Sequence, residues 1–183
     1  MTVRYFAYGS NLLQARLRER TPSATRIGRG RLSTHRLCWH KRGVGDGSGK
    51  CNAFATGDAT DAVWGAMFEL ADAERDRLDV AEGLGRGYRA TLVRVETIRG
   101  ILTAFTYIAT PDAVDDTLTP FGWYRDLVVA GARESGLPDR YIGALATARA
   151  VADPDRGRAR LHRRLLGGVT DERTSAPAER GPE

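Results

Sequence analysis

The chain has 183 residues, 42% of them hydrophobic and 28% charged, with a formal net charge of +5. That length suits one domain burying about 70% of its unfolded surface; the apolar content excludes a disordered chain, and no apolar run approaches the ~20 residues of a spanning helix. Two cysteines, Cys38 and Cys51, exclude a disulfide framework and a cysteine-rich zinc site.

No apolar leader opens the chain, so a reduced, cytoplasmic protein is expected, with both thiols packing the core. All but two of the 28 basic residues are arginine, Lys41 and Lys50 being the exceptions. This excess is weak support for an acidic partner. Its densest run, Arg156, Arg158, Arg160, Arg163 and Arg164, reads as a solvated helix face, because no aromatic residues interleave it as a nucleic-acid surface would require.

Val3 to Tyr8 reads as a strand stopped by Gly9, with Ser10 or Asn11 capping a helix through Leu12, Leu13, Arg16 and Leu17. Thr21-Pro22 ends that helix. Gly30 to His40 reads as a strand with Leu37 and Trp39 on one face. The four glycines from Gly43 to Gly49 form a hairpin loop; no Lys-Ser/Thr follows to make it a phosphate loop. Asn52 to Thr56 is the return strand. Ala62, Trp64, Ala66, Phe68 and Leu70 alternate, which predicts a strand with one buried face. Asp72 opens a helix to Glu82, broken by Gly83, Gly85 and Gly87. Tyr88 to Glu96 and Ile101 to Ile108 form a hairpin. Helices follow: one carrying Trp123, Leu127 and Val128 up to Glu134, one opened by Pro138, and one holding Leu161, Leu165 and Leu166. Residues 168–183 are poor in apolar side chains and are expected to be a disordered tail to a single domain spanning 1–167. Strands gathered before helices predict an α+β fold.

Two places carry candidate chemistry. The first is the junction Tyr8-Gly9-Ser10-Asn11-Leu12. The first amides of a helix have no partner within it, so such a junction accepts a carboxylate, a phosphate or a developing oxyanion. Plain capping is the competing reading. Ser10 fails as an elbow nucleophile, since Tyr8 and Leu12 stand where glycines are needed. His35, His40 and His162 show no triad or metal spacing. The second place is Glu82, the last acid of its helix; spacing alone does not set it apart from Asp72, Glu74, Asp76 and Asp79.

Residues 5–12, Tyr-Phe-Ala-Tyr-Gly-Ser-Asn-Leu, resemble the signature of the γ-glutamylcyclotransferase family. In the same order follow Arg20-Thr21-Pro22-Ser23-Ala24, Phe54-Ala55-Thr56, Val63-Trp64-Gly65, the segment Leu78-Asp79-Val80-Ala81-Glu82-Gly83, Tyr88, and Gly136-Leu137-Pro138 in the helical part. The resemblance spans roughly residues 3 to 145. It implies a small mixed or antiparallel β-barrel-like sheet flanked by helices, with one cavity. It also implies a reaction in which a γ-glutamyl amide is cleaved by its own α-amino group, releasing 5-oxoproline and a free amino acid or amine without metal or cofactor. A related option is removal of a γ-glutamyl protecting group from a biosynthetic intermediate. The loop differs from those of the glutathione-specific and isopeptide-specific branches, which makes glutathione the less favoured substrate. The resemblance allows a homodimer and calls for neither a membrane nor a nucleic-acid partner; a non-catalytic binding module on the same scaffold is the rival reading.

By this resemblance Glu82 is the general acid/base. Tyr8, Gly9, Ser10, Asn11, Leu12, Tyr88 and Tyr124 are the candidate substrate-binding residues. An ordinary glutamic acid and an α-amine differ by about 3.5 pKa units, roughly 5 kcal/mol, a gap that burial narrows. Glu82 is therefore expected to line an enclosed, largely apolar cavity, with the amides of Gly9 to Leu12 facing it.

Overall fold

A computed structural model describes residues 1–167. The alternating segments become β1 (Thr2–Ala7), β2 (Thr25–Ser33), β5 (Ala62–Ala71), β6 (Tyr88–Thr97) and β7 (Gly100–Ala109) of a closed barrel ordered β1-β5-β2-β6-β7. β6 and β7 form the predicted hairpin, in register from Tyr88↔Ala109 to Thr97↔Gly100. The barrel closes through a parallel contact of β1 with β7 at Tyr5↔Phe105. Outside it, β3 (His35–Arg42) and β4 (Gly49–Ala55) make a separate two-stranded sheet, joined by the glycine-rich loop. The helices are α1 (Gln14–Arg18), α2 (Arg75–Glu82), α3 (Gly122–Glu134), α4 (Asp139–Thr147) and α5 (Arg156–Gly167). The α+β class with a barrel-like sheet is thus what the chain forms. The expected tail, 168–183, lies outside the described residues.

Four local readings change. The helix expected from Leu12 to Leu17 is a 3-10 turn, Ser10–Leu12, an extended Leu13, and a five-residue α1. Neither Ser10 nor Asn11 caps it through a side chain; Gly9 occupies the cap. The break sends both Leu12 and Leu13 into the core against α3, where a Cβ on Gly131 would stand 2.2 Å from the Leu13 nitrogen. Tertiary packing of two adjacent leucines overrides the helical pattern.

The strand read from Gly30 to His40 is two strands in two sheets. Between them Thr34 takes φ +60, its amide donating to the Asp61 carbonyl and its own carbonyl accepting from Thr56 and Gly57. A β-branched residue at positive φ carries no sequence signal. Strand β5 buries both faces: Val63 and Met67 are as enclosed as Phe68 and Leu70. Strands covered on both sides lose the one-sided logic of alternation. Finally, Asp72 makes no side-chain cap; it begins a 3-10 turn, Asp72–Glu74, that leads into α2, and its amide donates to the Met1 carbonyl.

These elements converge on one end of the barrel. Strand β1 delivers the Tyr8–Asn11 turn, and α2 ends at Glu82, where Gly83 adopts the left-handed C-cap conformation that suits glycine. Helix α3 backs the turn, and β4 closes one side.

Candidate active site

The turn after β1 lies against three supports. Gly9 packs closely: a Cβ there would stand 3.2 Å from both the Cys51 Cβ and the Tyr124 hydroxyl, tighter than an ordinary contact. The Leu12 and Leu13 amides donate to the carbonyls of Gly9 and Ser10, closing the turn. Ser10 Oγ accepts from Arg16 Nε at 3.0 Å.

Glu82 meets this turn directly. Its Oε1 accepts from Asn11 Nδ2 at 3.0 Å and from Arg20 Nη1. Arg20 Nη1 also donates to Asn11 Oδ1 at 2.7 Å, so Asn11, Arg20 and Glu82 form a closed hydrogen-bonded triangle. Asn11 Nδ2 reaches the Tyr5 hydroxyl as well, at 3.1 Å. The carboxylate is only 18% exposed. Sequence separation hides this triangle: its members come from the turn, from the second residue past α1, and from the end of α2.

Above it is a cavity with about 290 Å3 of empty space, its open mouth included. Its walls are five tyrosines, Tyr5, Tyr8, Tyr88, Tyr107 and Tyr124, with Gly9, Ser10, Asn11, Cys51 and Glu82. Burial, the largest influence on all five phenols, pushes them well above their usual range, so each stays a hydroxyl. Four are anchored. Tyr8 donates to the Tyr107 carbonyl, Tyr88 to the Cys51 carbonyl, and Tyr107 to Asp79 Oδ1; the Tyr124 oxygen accepts from the Cys51 amide at 3.1 Å. The Cys51 thiol is pushed up to about 12, chiefly by burial, which leaves it no thiolate to act as nucleophile.

Of the candidate residues, Glu82, Tyr8, Gly9, Ser10, Asn11, Tyr88 and Tyr124 come together around this cavity. Leu12 does not line it: its side chain is fully buried in the core and its amide is spent on Gly9. The expected apolar enclosure is also corrected. Phenol hydroxyls, an amide and a guanidinium surround Glu82, because the aromatic rings that line the cavity are all tyrosine. Sequence reasoning assigned no part to Arg20, Tyr5, Tyr107 or Cys51. Arg20 lay inside a matched segment, and a guanidinium is the side chain best shaped to hold a carboxylate; that chemistry was the available signal. Among the described residues no group of three or more His, Cys, Asp and Glu is arranged to hold a metal. No helix there is long and apolar enough to cross a membrane.

The arginine run on α5 is partly engaged. Arg158 forks onto Asp153 at 2.6 and 2.7 Å, while Arg156, Arg160, Arg163 and Arg164 are exposed.

A barrel with flanking helices, a carboxylate held at the first turn and a tyrosine-walled cavity define a small-molecule enzyme site rather than a docking module. Residues 62–145 match the model of the AIG2-like family. The chain is 34% identical over 146 residues to the gamma-glutamylcyclotransferase of Homo sapiens, covering 75% of this chain and 73% of that one. It is 33% identical to that of Mus musculus over 149 residues, 76% and 75% of the two chains. A solved structure named gamma-glutamyl cyclotransferase superposes with a TM-score of 0.78 at 26% identity, covering 90% of this chain and 99% of the other. The chain belongs to the γ-glutamylcyclotransferase family.

Proposed function

We propose that this protein cleaves a γ-glutamyl amide by intramolecular cyclisation, with Glu82 moving the proton. The observation that carries this reading is the position of Glu82: a carboxylate at the floor of the cavity, tied to the turn by Asn11 and Arg20.

The substrate contains its own nucleophile. Folding the glutamyl chain so that the α-nitrogen faces the γ-carbonyl is worth an effective molarity of about 10⁵ M or more. In this reading the amides at the Gly9–Asn11 turn receive the glutamyl carboxylate, and the tyrosine rings force the ring-closing shape. The α-nitrogen attacks the γ-carbon, and Glu82 takes the proton that the nitrogen must lose. The tetrahedral oxyanion is met by hydroxyl or amide donors. As the bond to the leaving nitrogen breaks, Glu82 returns the proton to it, so the carboxylate ends as it began. The products are 5-oxoproline and a free amine. Asn11 and Arg20 contribute orientation: they hold one carboxylate oxygen, leaving the other for the proton. In a cavity lined by hydroxyls, position rather than dryness is what these residues supply.

Glu82→Gln keeps the shape and the Asn11 contact but cannot relay a proton. Its kcat for 5-oxoproline release should fall about 10²- to 10⁴-fold, the usual worth of such a group. Release at a near wild-type rate from a panel of γ-glutamyl amino acids and amines would exclude the assignment. The same panel separates γ-glutamyl amino acids from larger γ-glutamyl-protected amines as substrates.

A further inference from the structure

Beyond the cavity the site opens into a vestibule with about 590 Å3 of empty space including its mouth, sharing Ser10, Glu82, Tyr88 and Tyr124 with the inner wall. Five cations line it: Arg16, Arg20, Lys41, Lys50 and Arg86. Glu82 answers Arg20, and Asp46 answers Lys50 at 2.7 Å. Among the described residues, Arg16, Lys41 and Arg86 form no ion pair with any carboxylate.

The placement of Lys41 is costly. It is 2% exposed, its ammonium 4.4 Å from the centre of the Tyr88 ring. Burial lowers its pKa, Glu82 is the main charge opposing that, and Lys50 and Arg86 repel it. Gly87 leaves the space it occupies: a Cβ there would stand 3.0 Å from Lys41 Cε. Arg86 hangs from the loop that follows Glu82, a loop held by bonds from Leu84 to Asp79 and from Gly85 to Tyr88. A buried ammonium and a neighbouring guanidinium with no carboxylate between them are unfavourable until an anion arrives.

The vestibule opens from the cavity past Glu82, Tyr88 and Tyr124, so on the cyclotransferase reading it is the space that receives the leaving amine. Ordinary amino-acid leaving groups bring one carboxylate, too little charge for three unpaired cations. We propose that the leaving amine of the preferred substrate carries at least two negative charges, read by Lys41 and Arg86 across the vestibule. This inference rests on the cyclotransferase reading and narrows its substrate class. The charges can be two carboxylates or one phosphate.

The test compares pairs that differ in anionic charge by kcat/KM for 5-oxoproline release: γ-glutamyl-glutamate against the isosteric γ-glutamyl-glutamine, and γ-glutamyl-phosphoethanolamine against γ-glutamyl-ethanolamine, which lacks the phosphate. The dianionic member of at least one pair should be favoured about tenfold or more, as expected for charged hydrogen bonds in a partly desolvated site; the pair that shows it identifies the source of the charge. Lys41→Met should reduce that ratio to about twofold or less. Arg86→Glu, at an exposed position where folding is not at stake, should lower it at least about tenfold. Equal use of both members of each pair overturns the inference while leaving the cyclotransferase reading standing. A wild-type preference untouched by either substitution also overturns it. Release from no γ-glutamyl compound overturns both.

Discussion

Glu82 differs from the other acids of its segment only in what faces it. Asp79, three residues earlier, is the acceptor for the Tyr107 hydroxyl, and Asp72 and Asp76 are exposed. One side chain of α2 thus supports a wall of the cavity while the last one enters it. Cys51 makes the same point from the opposite direction. It lines the cavity, yet burial keeps its thiol protonated, so it is wall and not reagent. Native protein at pH 8 should therefore leave Cys51 unmodified by iodoacetamide, and denaturant should expose it to full reaction; mass analysis of the peptide carrying it distinguishes the two. Rapid labelling in the native state would contradict the burial argument. The residue types of the site were legible in the matched segments, Glu82 and the Tyr8–Asn11 turn above all. The guanidinium on Glu82 was not, because nothing in the spacing of Arg20 from Glu82, 62 positions apart, reports a contact.

Between elements, the decisive contact is that of α3 with the 3-10 turn. Gly131 lets the helix backbone come close enough to bury Leu12 and Leu13, and that approach sets where Ser10 and Asn11 stand. Gly131→Ala would place a Cβ 2.2 Å from the Leu13 nitrogen and 2.4 Å from the Leu12 carbon, both backbone atoms that have nowhere to go. Overpacking of this kind costs about 1–3 kcal/mol. The substitution should lower the urea midpoint and, because the turn moves with the leucines, reduce 5-oxoproline release even in the folded fraction. A loss of stability with kcat intact would show that the turn is positioned independently of α3. The helix α3 itself was predictable from Trp123, Leu127 and Val128 sharing a face. That its small residue meets the turn was not, since glycine inside a helix pattern reads only as a weak point.

Across the whole molecule, α5 closes the structure over the basic side of the site. His162 stacks on Trp123 at 4.0 Å, and its Nδ1 lies 3.3 Å from Arg16 Nη1, which fits the tautomer carrying its proton on Nε2. Burial first, then Arg16 and the other nearby cations, lower the His162 pKa to about 4. An imidazole harder to protonate when folded makes the unfolded state bind more protons below its own pKa. Stability should thus be complete above about pH 6.5, the unfolded histidine value, and decline as pH falls toward 4. A second decline belongs to Asp153, held down to about 2 by Arg158 in the first place; its contribution is present above the unfolded aspartate range and is lost as pH falls through 2. Thermal melts across pH 7 to 4 should show the first slope, and His162→Phe, which preserves the stack on Trp123, should flatten it. An unchanged slope would mean that another group sets the acid limit.

The sequence by itself determined the segments and their chemistry. Alternation predicted the β6–β7 hairpin and β5, and glycines and prolines marked the element ends; these are local properties, readable from neighbours one to four positions apart. The reaction class came from the resemblance of residues 5–12 and 78–83 to a known family, not from spacing. Only the tertiary structure decided that β2 and β3 part at Thr34, that Leu12 turns inward, that tyrosine hydroxyls replace an apolar enclosure, and that unpaired cations gather outside the cavity. Each of these depends on which surfaces meet when the barrel closes, and burial and charge pairing take their values from those meetings.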